Sequence, residues 1–164
     1  IHPGCGVGHL KGARAREWPK ENFAQLADTL AKIHNARILI TGGKNETALS
    51  LKIASAMEIK PLIVTGTLNI GKLAALLTHC VLFISGDTGI MHLASALGVR
   101  TISIFGPSDE TRWSPLGKDK SIISATGPNC RPCQVFGIDN PKCEEFQCIK
   151  SVTVEEVLHK INEI

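Results

Sequence analysis

The sequence predicts an α/β domain with an open, mostly parallel sheet covered by helices on both faces. Three observations predict it. Short apolar runs of about five residues each stop at a glycine. Segments with helical apolar spacing lie between those runs. The runs show no polar alternation, as expected of parallel strands buried on both sides.

In order, Ile1-His2-Pro3-Gly4 reads as the end of a strand entering a glycine-rich turn with Gly6 and Gly8. The chain lacks an initiating Met and reads as cut from a longer protein. Lys11, Arg14 and Arg16 form a basic segment before Trp18-Pro19, and Phe23, Leu26, Ala27, Leu30 and Ile33 then share one helical face. Arg37–Thr41 is a strand stopped by Gly42-Gly43, and Pro61–Thr65 is another ending at Gly66. Ile70, Leu73, Ala74 and Leu77 give a second helical stripe. Val81–Ser85 runs to Gly86, Ile90, Leu93, Ala94 and Leu97 give a third stripe, and Thr101–Phe105 ends at Gly106. A cysteine-rich loop, 126–151, is too long for a simple connector. The last helix carries Val154, Val157, Leu158 and Ile161, opened by the capping box Thr153/Glu156.

The 164 residues suit a single domain spanning 1–164. Hydrophobic residues at 43% and charged residues at 20% describe a globular chain. Aromatics at 4%, with no Tyr, argue against a base-stacking platform. A net charge of +3 suits a phosphate-bearing small ligand or an anionic membrane surface, and is too small for a nucleic-acid footprint. No run approaches the roughly 18 apolar residues of a transmembrane segment, and no export signal is visible. Without such a signal, Cys130, Cys133, Cys143 and Cys148 read better as ligands of a structural zinc ion than as disulfides, although disulfides and free thiols stay open. The spacing leaves no open ligand position, so no metal role in catalysis is expected.

Ligands of open α/β sheets sit beyond the carboxyl ends of the strands. Four segments meet there: Gly4 to Gly8, Gly42 to Glu46, Gly86 to His92, and Gly106 to Asp109. Gly86-Asp87-Thr88-Gly89 opens a helix, where free amides and the dipole favour an anion. Asp87 or Thr88 can cap that helix. His92 falls opposite the Ile90/Leu93/Leu97 stripe, which weakens its reading as a core histidine. Glu46 is placed to accept from ribose hydroxyls, with a plain first-turn acid as the alternative. Arg16 is either solvated or part of a phosphate edge. Asp-Thr-Gly is also the tripeptide of aspartic proteases, but here it joins a parallel strand to a helix, and that reading is rejected.

Together these residues carry a resemblance. His2-Pro3-Gly4, Arg16 two before Trp18-Pro19, Gly42-Gly43 with Glu46, the run Gly86-Asp87-Thr88-Gly89-x-x-His92-x-Ala94-x-Ala96-x-Gly98, and Phe105-Gly106-Pro107 resemble glycosyltransferase family 9, the bacterial heptosyltransferases of lipopolysaccharide core assembly. The resemblance implies the C-terminal, donor-binding half of a GT-B enzyme, with a Rossmann-like domain. It implies an inverting transfer of heptose from ADP-heptose to a lipopolysaccharide core acceptor, with no catalytic cofactor. It places Arg16 at the donor phosphates, Glu46 at the ribose, and Asp87, Thr88, Gly89 and His92 at the diphosphate-sugar contacts. The catalytic base, an Asp, is then expected in an N-terminal domain that this chain lacks, so the fragment would bind donor without turnover. A glycolipid acceptor would be reached through that missing domain. The implied location is cytoplasmic, or peripheral on the inner face of the inner membrane. The competing readings are a GT-B-like sugar-nucleotide epimerase or hydrolase domain, and a non-catalytic nucleotide-binding module with a structural metal loop.

Overall fold

The computed structural model describes residues 1–6, 15–126, 129–133, 143 and 145–163. Gly8, Lys11 and Arg14, and much of the cysteine-rich loop, lie outside them.

The described chain runs α1 (Lys20–His34), β1 (Leu39–Ile40), a 3-10 turn (Lys44–Glu46), α2 (Thr47–Ala56), β2 (Leu62–Ile63) and α3 (Ile70–Leu77). It continues through β3 (Phe83–Gly86), α4 (Gly89–Ala96), β4 (Thr101–Phe105), α5 (Glu110–Trp113), β5 (Lys120–Ser124), α6 (Gln147–Ser151) and α7 (Val154–Asn162). β1 pairs with β2, and β3, β4 and β5 pair in that order, all parallel. Ile1 and His2 join the two groups. The Ile1 amine donates to Leu39 O at 2.7 Å, Thr41 N to Ile1 O at 3.0 Å, and His2 N to Ile84 O at 2.9 Å. The resulting order is β2-β1-(Ile1–His2)-β3-β4-β5, an open parallel sheet as predicted.

Strand pleating sends alternate side chains to opposite faces, and two cores result. Ile84, Ile102 and Ile104 pack with α1 and α7 residues such as Phe23, Leu26 and Val157. Phe83 and Phe105 face the other way, onto Leu73 and Leu77 of α3 and Met91 and Ala94 of α4. Trp18 is pinned in the first core, its Nε1 donating to Val152 O at 2.8 Å and its ring edge-on to Phe23 at 5.0 Å. The Thr153/Glu156 capping box forms in both directions.

Three expectations are corrected. Ile33 and Ile70 do not join their stripes; they are 70% and 63% exposed. On α4 the buried residues are Met91, Ala94 and Ser95, whereas Leu97 is 37% exposed. The contact face of α4 is thus centred on Met91 and Ala94, with Ile90 and Leu93 half-buried against the same core. The β1 and β2 ladders are also shorter than the apolar runs that contain them.

Leu30 and Ile33 are near neighbours on α1 but differ in burial. Leu30→Ala should cost about 2–5 kcal/mol, and Ile33→Ala less than about 0.5 kcal/mol, in denaturant unfolding. Equal losses would mean that Ile33 is buried.

Candidate functional site

The site lies at the carboxyl edge of the sheet and is assembled from three loops. The first is held by a carboxylate. Glu46 ends the 3-10 turn, is 8% exposed, and accepts Gly6 N through Oε1 at 2.9 Å and Gly43 N through Oε2 at 2.6 Å. Gly4 lies flush on it: a Cβ at position 4 would stand 1.9 Å from Glu46 Oε1. Glycine is therefore required at position 4 by contact with this carboxylate. His2 Nδ1 bonds Thr41 Oγ1 at 2.9 Å in the same layer. Burial pushes its imidazole down to about 4, against the opposing pull of Glu46.

The second loop follows β3. Thr88, with extended backbone, caps α4 by accepting Met91 N at 3.2 Å. Asp87 is therefore not the cap. It is buried, and its carboxylate faces Arg16, whose Nη1 lies 3.5 Å from Oδ2 and 3.3 Å from the Asp87 carbonyl oxygen. Arg16 Nε is buried with no hydrogen-bond partner. Because Thr88 takes the Met91 amide, helix geometry leaves the first-turn amides of Gly89 and Ile90 for a ligand.

The two loop glycines differ in purpose. A Cβ at Gly86 would meet Arg16 O at 2.7 Å and Cys5 Sγ at 3.4 Å, so Gly86 lets the Arg16 segment pass close by. At Gly89 a Cβ would meet nothing within 4 Å, and the residue is exposed. The space above the start of α4 is open. His92, in the first turn, is half-buried at the flank of the buried face and not opposite it.

The third loop, Gly106-Pro107-Ser108, is buried. Gly106 packs under Ile149 and beside Ala15 O, where a Cβ would stand 2.8 Å and 3.2 Å away. The structure thus brings Arg16, Asp87, Thr88 and Gly89 to one place, with Glu46 securing the neighbouring loop.

Sequence reasoning missed Arg131, which lies between two of the cysteines and reaches this third loop. Nothing periodic marks such a residue. Among the described residues, no three His, Cys, Asp or Glu side chains are placed to hold a metal ion. Yet the four thiols share a neighbourhood. The Cys133 thiol is pushed up to about 11, first by burial and then by Cys130, Cys148 and Cys143.

A cavity of about 1100 Å³ opens at the opposite, amino-terminal edge, lined among others by Ile1, Arg37, Pro61, Val81 and Arg100. Thr41 lines it as well, whereas Arg16, Glu46, Asp87, Thr88, Gly89 and His92 do not.

A sequence profile described as glycosyltransferase family 9 (heptosyltransferase) matches residues 8–143. The chain belongs to this family. Lipooligosaccharide heptosyltransferase 2 of Campylobacter jejuni is 28% identical to it over 170 residues, covering 100% of this chain and 50% of the relative. The chain therefore spans about half the length of the curated relatives it matches. Among solved structures, the ADP-heptose lipopolysaccharide heptosyltransferase II of E. coli superposes with a TM-score of 0.80 at 20% identity. That match covers 99% of this chain and 44% of the other. A dodecameric, iron-containing heptosyltransferase, TibC of enterotoxigenic E. coli, solved with ADP-D-β-D-heptose, superposes at 0.71 and 17% identity, covering 93% and 42%. These likenesses establish the shared fold. No helix among the described residues is long and apolar enough to cross a membrane.

The collision between position 4 and Glu46 gives a direct check on this family member. Gly4→Ala should destabilise the fold by about 1–3 kcal/mol, and Glu46→Ala should recover much of that loss in the double variant. Additive losses in a double-mutant cycle would show that the carboxylate does not rest on Gly4.

Proposed function

We propose that this chain is the donor-binding, C-terminal domain of an inverting heptosyltransferase that transfers heptose from ADP-heptose to a lipopolysaccharide core acceptor. One observation carries the proposal: the open space over Gly89 at the start of α4, with Arg16 beside it. Such a transfer needs a base at the acceptor hydroxyl and a site that stabilises charge on the departing diphosphate. This domain supplies the second. The amides of Gly89 and Ile90 and the Arg16 guanidinium receive phosphate oxygens, and His92 reaches a phosphate or sugar hydroxyl. Asp87 holds Arg16 and neutralises part of its charge, so it acts through the arginine. Glu46 presents its carboxylate beside the ribose while fastening Gly6 and Gly43; each oxygen keeps a second lone pair for a hydroxyl.

The base belongs to the N-terminal domain, as does the surface that meets the glycolipid acceptor. The enzyme works in the cytoplasm or on the inner face of the inner membrane. The relatives' names, which specify heptosyl transfer and ADP-heptose, support this reading.

The full-length enzyme should bind ADP in preference to UDP, GDP and NAD by calorimetry. Arg16→Ala should weaken ADP binding by about 2–3 kcal/mol, roughly 30- to 150-fold, because it leaves the buried Asp87 carboxylate facing the phosphates. A preference for NAD, or an unchanged affinity in Arg16→Ala, would remove the proposal.

Within the same reading Cys130, Cys133, Cys143 and Cys148 are the donor set of a structural metal ion, supported by their spacing as two close pairs. Protein purified without chelator should contain about one zinc or iron per chain by elemental analysis. Metal-free protein with four titratable thiols would dismiss both metal and disulfides.

A further inference from the structure

Three backbone carbonyls in the segments that follow β4 and β5 are bound by one side chain. Arg131 donates from Nε to Gly106 O, from Nη1 to Ala125 O at 2.5 Å and from Nη2 to Ser108 O at 3.3 Å. Nη2 also pairs with Glu110 Oε2 at 2.8 Å, and the Arg131 side chain is 11% exposed. Two residues on, Cys133 N donates to Pro107 O at 3.0 Å, so the turn carrying Arg131 grips the whole Gly106-Pro107-Ser108 loop.

That loop leans directly on the anion site. Gly106 is packed so closely to Ala15 O that a Cβ would stand 3.2 Å from it, and Ala15 precedes Arg16, which meets Asp87. A continuous set of contacts therefore runs from Arg131 through Gly106 and Ala15 to Arg16. Only a guanidinium, with five donors in a planar fork, can satisfy three carbonyls and a carboxylate at once.

We propose that Arg131 is a positioning residue for the donor diphosphate: it ties the cysteine turn to the loop after β4 and thereby holds Arg16 against Asp87. The proposal rests on the reading above that this edge receives a nucleoside diphosphate. It gives the Cys130–Cys133 turn a task at the donor site whatever the state of its thiols.

The test uses the full-length enzyme and two probes, ADP and adenosine, which share the base and ribose but differ in the phosphates. Wild-type enzyme is measured first; failure to bind ADP overturns the donor-site reading itself, before any variant is compared. Arg131→Gln should weaken ADP about tenfold or more while leaving adenosine within about twofold, because the brace acts on the phosphate end. Arg131→Lys, which keeps the charge and loses the fork, should recover only part of the loss and serves if the glutamine variant does not fold. An unchanged ADP affinity, an equal loss for both probes, or full recovery by lysine would overturn the proposal. The second result would mark Arg131 as merely structural, and the third would show that charge without the fork is sufficient.

Discussion

The arrangement of the whole ligand edge depends on the Glu46 carboxylate. It is buried where two strand-end loops meet, and it takes one backbone amide from each. Hydrogen bonds to an ionised acceptor contribute about 1.5–3 kcal/mol apiece, and removing the acceptor would strand both amides. The carboxylate also fixes the identity of its neighbour, since only glycine fits at position 4. With Gly4 and Gly6 held, Cys5 lies where it meets Gly86, and Gly86 in turn admits the Arg16 backbone. Arg16 is thus placed by contacts that begin at a carboxylate on a different loop.

An edge that carries two buried carboxylates is at first sight unsuited to phosphate. Both are already engaged. Glu46 holds one amide on each oxygen, and Asp87 faces Arg16. In the proposed reading the phosphates meet the positive end of α4 and Arg16, with Thr88 taking the Met91 amide. Thr88 as the cap resolves the ambiguity between two adjacent capping residues, and it releases Asp87 to position the cation.

The strands up to β4 were legible because parallel strands buried on both faces leave an apolar run that stops at a glycine, as Thr101–Phe105 does. β5 was not, since Lys120-Ser121-Ile122-Ile123-Ser124 mixes polar residues into a strand covered mainly by α7. The contact face of α4 was misjudged as well. Periodicity picked Ile90, Leu93 and Leu97, whereas the buried face runs through Met91, Ala94 and Ser95, and Ile90 and Leu93 stop half-buried at its flank. Arg16, Asp87 and Thr88 were legible as a group from motif and location. The fastening role of Glu46 was not, because its amide partners are glycines whose positions emerge only once the loops are folded. Arg131 left no trace in any period, since its partners are carbonyl oxygens common to every residue.

The openness of the site bears on the proposal that a second domain completes it. The Arg16 side chain is 24% exposed, and nothing covers Gly89 among the described residues. At about 4 Å, two unit charges attract by roughly 1 kcal/mol in bulk water and by about 4 kcal/mol at an effective dielectric near 20. An uncovered helix start and one arginine can therefore bind a diphosphate, but their hold on charge developing at a leaving group strengthens only when water is excluded. The relatives are about twice the length of this chain, which leaves room for a second domain to close over the open face. In the proposed reaction that domain brings both the base and the cover, so binding and transition-state stabilisation become different properties of the same loop. In that reaction the residues after β3 act with Arg16 in the first, and their full electrostatic effect requires the closed enzyme.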